Sequence, residues 1–220
     1  MISSFFICPH YLAVLPLSID TFKQPYDTLF FVSFIMTSAA IPLIDISASE
    51  LVDTQIIEQF YTPQLLQKVL TTTLDFMQAQ SDVVLPYFSE VEPSVWQHKP
   101  KQLGVYITDA VEGRALNLEA RDKDYATNIL SYPSELPAFI IEQMPELALG
   151  ELIVCHDVVK QQAAEQHKTV AEHVTHLLVH GILHLLGFDH ELGQAQQDEM
   201  EGFEIAILEQ LGIGNPYLAR

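Results

Sequence analysis

Three histidines in the segment HGILHLLGFDH constrain the folding of this chain more than any other feature: His180, His184 and His190. On a helix, residues four apart lie one turn apart on one face, so His180 and His184 can chelate a single cation. Gly187 stands three residues past His184, where a helix can end in a left-handed turn. The chain then reverses and can bring His190 back to the same ion. Three neutral imidazoles with one open position are the arrangement of a catalytic zinc. A structural zinc takes four protein ligands, usually with cysteine, and neither Cys8 nor Cys155 is near. The expected content is one zinc per chain, held by His180, His184 and His190.

Other residues of the segment bear on the chemistry. His173 and His176 extend the face of His180 and His184 in steps of three and four. Either can orient a ligand or touch substrate, although a surface or partly buried polar role is the simpler expectation. Asp189 is either a hydrogen-bond partner of an imidazole or a turn cap. The spacing of His180, His184, Gly187 and His190 superposes on the metzincin protease pattern H-E-x-x-H-x-x-G-x-x-H. The glutamate of that pattern, the general base of those proteases, is Gly181 here. No replacement is adjacent in sequence, so a zinc peptidase is the weaker reading.

The rest of the chain alternates short strands and helices. IPLIDI (41–46) reads as a strand and residues 63–80 as a helix, with Leu66, Val69, Leu70 and Leu74 at helical spacing. Residues 92–98 are weakly patterned. QLGVYITD (102–109) alternates as a half-buried strand should, and 110–120 reads as a helix. TNILSY (127–132) is a strand stopped by Pro133, and PSELPAFIIEQMPE is a proline-punctuated loop. The apolar run of GELIVCH (150–156) is a central strand. Residues 157–167, 169–186 and 194–211 read as helices. The class is α/β or α+β: a small mixed sheet of about four strands with five or six helices. The metal site falls on a helix of the C-terminal half and the turn after it.

Residues 1–35 stand apart. Their first 19 residues carry no Lys, Arg, Asp or Glu, long enough to suggest a membrane span. Pro9, Pro16 and the missing flanking positive charge weigh against it, and a secretory leader wants a basic first region that is absent. The favoured reading is an extension upstream of a start at Met36, with the functional domain over 36–220. Two cysteines without a C-x-x-C pair suggest no oxidising compartment, so the expected location is the cytoplasm.

The net charge of −19 opposes non-specific adhesion to nucleic acid or anionic membranes. Any nucleic-acid contact must be local. Lys99, Lys101, Arg114, Arg121 and Lys123 gather five of the ten basic residues into one stretch, a candidate positive patch that Asp122 and Asp124 partly neutralise.

HGILHLLGFDH closely resembles the signature of the YbeY family, bacterial single-strand endoribonucleases and ribosomal RNA maturation factors. NLEARDKDYATNILSYP, LGELIVCHDVV, DEMEGFEIAILEQLG and NPYLA are similar to further segments of that family. The likeness covers roughly residues 40–220. Asn128 stands where many members have Asp, and Tyr132 where Phe is usual. The resemblance implies a zinc held by His180, His184 and His190, and Arg121 as the functional arginine. It also implies action on single-stranded RNA at the small ribosomal subunit: 16S ribosomal RNA 3′-end maturation, ribosome biogenesis and quality control, with no role for DNA. The attacking group is left open between a zinc-activated water and the RNA's own 2′-hydroxyl. Beside the peptidase, the other alternative is a non-enzymatic ribosome-assembly factor with a structural zinc.

Overall fold

The computed structural model describes residues 41–218. The readings made for residues 1–35 lie outside the described residues. β1 (Leu43–Ala48) is followed by α1 (Thr54–Phe60), α2 (Pro63–Ala79) and α3 (Pro93–His98). β2 (Lys101–Thr108) leads into α4 (Ala110–Arg121), and β3 (Ile129–Pro133) into the short α5 (Ala138–Ile141). β4 (Leu147–Cys155) precedes α6 (His156–Glu165), α7 (Val170–Leu186) and α8 (Gln194–Gln210). The strands form one sheet in the order β1-β2-β4-β3, with β3 antiparallel on the edge and the others parallel.

The mixed class and the four strands agree with the sequence reading. The eight α-helices among the described residues exceed the five or six expected. The excess comes from α1, α3 and α5, of seven, six and four residues, too short for a periodic apolar stripe to declare itself. The weakly patterned 92–98 is α3, opened by Pro93 in its first turn. The proline-punctuated stretch holds the single turn of α5.

β4 begins three residues earlier than its apolar run announces. The register passes from Gln102 opposite Ala148 to Leu103 opposite Gly150, which leaves Leu149 as the extra residue of a bulge. Gly150 sits at φ 135°, and a Cβ there would lie 2.2 Å from the Tyr132 carbonyl oxygen. Only glycine lets β3 close against β4 at this point. That closure seats β3 beside α7.

α7 is the structural centre. It packs on β3 and β4 and is flanked by α2, α6 and α8. Leu178, Val179, Ile182, Leu183, Leu185 and Leu186 are buried, and each such side chain contributes about 1.5–3 kcal/mol. Its start is fixed by a capping box in which Thr169 accepts from the Glu172 N–H and Glu172 accepts from the Thr169 N–H. It ends at Gly187, φ 102°, where the Gly187 N–H donates to the His184 carbonyl and the Phe188 N–H to that of Leu183. The histidine pair and the turn that follows it are therefore held by the most buried helix of the fold.

Candidate metal centre

His180 and His184 project from the last two turns of α7, and His190 opens the single 3-10 turn that follows. Asp189 caps that turn, accepting from the Glu191 N–H at 2.8 Å. Of its two expected roles, the turn cap is the one seen. The three imidazoles each offer a ligand nitrogen, and these atoms lie within 4.8 Å of one another. The convergence expected from the spacing is present.

The donor set fits a tetrahedral cation. His180 gives its Nδ1–H to Glu204 Oε1 at 2.8 Å, which leaves a lone pair on its Nε2. That Nε2 lies 3.1 Å from His184 Nε2. Two ligands of a tetrahedral zinc with bonds of about 2.0–2.1 Å stand about 3.3 Å apart, so the two nitrogens already hold nearly that edge. Burial first, and then the neighbouring His180 and His190, push the His184 imidazole down to about 4. It is therefore neutral at physiological pH, the form that ligates.

Glu204, on α8, joins the site from a distant part of the chain. It is 1% exposed and accepts from His180 Nδ1, from His176 Nε2 at 2.7 Å and from the Tyr217 hydroxyl. Burial works to raise this carboxyl, but the hydrogen bonds from His176 and His180 outweigh it and hold it at about 2. A carboxylate that fixes the tautomer and ring plane of a ligand histidine is the usual support of a metal site. Glu204 was not singled out from the sequence. The signal was available: it shares the inward face of α8 with Met200, Ile207 and Leu208, and an acid within such a stripe needs a partner. His176 belongs to this network, whereas His173 turns inward, with Nε2 3.1 Å from Gln162 Oε1.

Arg121 closes α4, and Asp122 caps that helix in a left-handed conformation at φ 56°. The guanidinium pairs with Glu191, beside His190, at 2.7 Å. Arg121, His180, His184 and His190 line one cavity of about 520 Å³, with β3 along its wall. The broader positive patch is not assembled. Lys99 donates to the carbonyls of Ile141, Glu142 and Met144, capping α5 and the turn after it. Lys101 is buried, donating to the carbonyls of Trp96 and Lys99. Arg114 and Asp124 form a twin-bonded pair. These cations satisfy local acceptors, and Asp124 is thereby unavailable to Arg121.

Gly181, where the protease pattern has its glutamate, faces the sheet. A Cβ there would lie 2.7 Å from Leu152 Cδ2 and 2.9 Å from Ile129 Cδ1. An acidic side chain has no room at this position, and a base placed there would point into the core rather than at the imidazoles.

Residues 52–212 match the family model described as Endoribonuclease YbeY. An Endoribonuclease YbeY of Psychrobacter cryohalolentis is 62% identical over 151 residues, covering 68% of this chain and 97% of its own. One of Acinetobacter baumannii is 40% identical over 166 residues, covering 73% and 94%. A Thermotoga maritima protein solved in solution aligns over 77% of this chain and 92% of its own, with a TM-score of 0.41 and 20% identity.

Proposed function

Because the chain belongs to the YbeY family of endoribonucleases, we propose that it is a zinc-dependent, single-strand-specific endoribonuclease acting in the cytoplasm on ribosomal RNA of the small subunit, at the 3′ end of 16S ribosomal RNA. The nuclease activity itself, hydrolysis of phosphodiester bonds in RNA, follows from the family. The functional domain is residues 36–220. Among the described residues no helix is long and apolar enough to cross a membrane.

One observation carries the reading: three ligand nitrogens within 4.8 Å of one another share a cavity with a guanidinium. His180, His184 and His190 would hold the zinc, which when bound supplies Lewis-acid polarisation of a phosphate oxygen. Glu204 keeps Nε2 of His180 available. Arg121 holds the phosphate, since its planar fork matches two phosphate oxygens. To do so it leaves Glu191, an exchange that costs little because an exposed pair contributes about 0–1 kcal/mol. Both side chains of that pair are more than a third exposed.

The test compares Arg121→Ala and Arg121→Lys with wild type for zinc content, melting temperature and cleavage of single-stranded RNA. Arg121→Ala keeps its zinc and its melting temperature and loses cleavage by roughly 10²–10³. Arg121→Lys recovers part of it, because the charge returns without the fork. Wild-type cleavage by Arg121→Ala removes Arg121 from the site, and joint loss of fold and activity makes it architectural.

A further inference from the structure

Two cavities meet at the imidazoles of His180 and His190. The first is the Arg121 cleft. The second, about 420 Å³, lies between α6, α7 and α8 and shares His180, His190 and Asn128 with the first. Its volume is that of a small-molecule site, and the phosphate contact derived above lies in the first cavity, not in this one. Resting on the ribonuclease reading, we propose that this second cavity is a nucleobase subsite. It takes the base of a nucleotide next to the scissile phosphate and favours bases with an exocyclic amino group over uracil.

The charges on its wall say which part of a nucleotide fits. Glu201 and Glu204 line it, and among the described residues lining it none is an arginine. Lys168 is on the wall, but its Nζ is held by Gln166 Oε1 and the Pro216 carbonyl, each at 2.8 Å. A phosphate is repelled here and drawn to the Arg121 side, which leaves a neutral base as the part that enters. Tyr217 is 44% exposed and lines the cavity, an aromatic face on which a base can stack.

The hydrogen bonds say which bases fit. Four donors of the wall are turned toward its own acceptors. His176 Nε2 and the Tyr217 hydroxyl donate to Glu204, Gln197 Nε2 donates to Glu201 Oε1 at 2.7 Å, and Asn128 Nδ2 donates to Gln162 Oε1 at 3.0 Å. A carboxylate offers about four lone-pair positions, so Glu201 retains capacity after Gln197 is served. At Glu201 the cavity therefore favours an occupant that donates. Adenine, cytosine and guanine carry an amino group on the Watson–Crick edge, and carboxylates accept from such groups. Uracil presents two carbonyl oxygens there and a single N–H, and its oxygens meet the carboxylate.

The experiment uses the full chain loaded with zinc and single-stranded RNA oligonucleotides randomised across the cut, with the products sequenced. Uracil is expected to be depleted about tenfold at one position adjoining the cut, the size of one good hydrogen-bonded base contact. Glu201→Gln offers an amide donor in place of the carboxylate, and the depletion disappears. Independently of any variant, an abasic residue at that position is cut by wild type as poorly as uridine. A flat base preference in wild type, or a depletion unchanged in folded Glu201→Gln, overturns the subsite while leaving the ribonuclease reading intact. An abasic substrate cut as well as cytidine overturns it even if Glu201→Gln does not fold. Failure of the zinc-loaded wild type to cut any member of the pool overturns both.

Discussion

Replacing Glu204 with glutamine keeps the shape of the side chain and removes the acceptor that three donors share. His180 Nδ1, His176 Nε2 and the Tyr217 hydroxyl all give hydrogens to this carboxylate. An amide accepts only on its oxygen and turns its NH2 toward at least one of those donors. Glu204 is 1% exposed, so water does not replace what is lost. One buried donor left without a partner costs about 1–3 kcal/mol. At about 2–4 °C per kcal/mol for a protein of this size, the melting temperature of the metal-free protein falls by roughly 2–12 °C. The metal centre is affected separately, because His180 loses the group that fixes its tautomer and ring plane. Loss of such a partner typically weakens metal binding about 10–100-fold. Competition with a chromophoric chelator measures the second effect and a thermal melt the first. Zinc affinity equal to wild type would refute the positioning argument, and a lowered melt alone would reduce Glu204 to a member of the core.

Two further predictions concern the core and its protons. Gly181→Ala places a Cβ 2.7 Å from Leu152 Cδ2 and 2.9 Å from Ile129 Cδ1. Overpacking of about 1–3 kcal/mol outweighs the helix gain of about 0.5–1 kcal/mol, so the denaturant midpoint drops; a variant as stable as wild type contradicts the packing. Burial first, then His176 and Lys168, lower His173 from 6.5 to about 4. Between those values the unfolded chain binds the proton and the folded chain does not. The metal-free protein therefore loses stability as pH falls from about 6.5 to 4, by up to about 3 kcal/mol for this residue at about 1.36 kcal/mol per unit. His184 acts in the same direction over the same window. Urea midpoints that do not move between neutral and acid pH would contradict both assignments.

What the sequence made legible was local. The His180–His184 step and the Gly187 turn depend on backbone geometry within a few residues, so spacing alone places the imidazoles together. The support behind them is not local. Glu204 lies 24 residues from His180 along the chain, on a helix that also carries Asp198, Glu199, Glu201 and Glu209. Only the packing of α8 against α7 selects which acid reaches the site. The partner of Arg121 illustrates the same limit. Asp122 and Asp124 are nearer in sequence, but the left-handed turn at Asp122 redirects the chain, and Asp124 meets Arg114 instead. Glu191 reaches Arg121 across 70 residues because the Gly187 turn carries it there. The strand order was hidden for a related reason: β3 precedes β4 in the chain yet pairs outside it, a choice made by tertiary contacts and by the close approach that Gly150 permits.

Metal-dependent RNA cleavage tests the central claim most directly. Protein stripped by a chelator is assayed on single-stranded RNA before and after one equivalent of zinc, wild type beside His184→Ala. Wild type is expected to be inactive when stripped, to take up one zinc per chain and to regain cleavage. His184→Ala, left with two of the three ligands, is expected to hold little zinc and to stay inactive. Full zinc uptake by His184→Ala, or undiminished cleavage by the stripped wild type, would contradict a metal centre built from His180, His184 and His190.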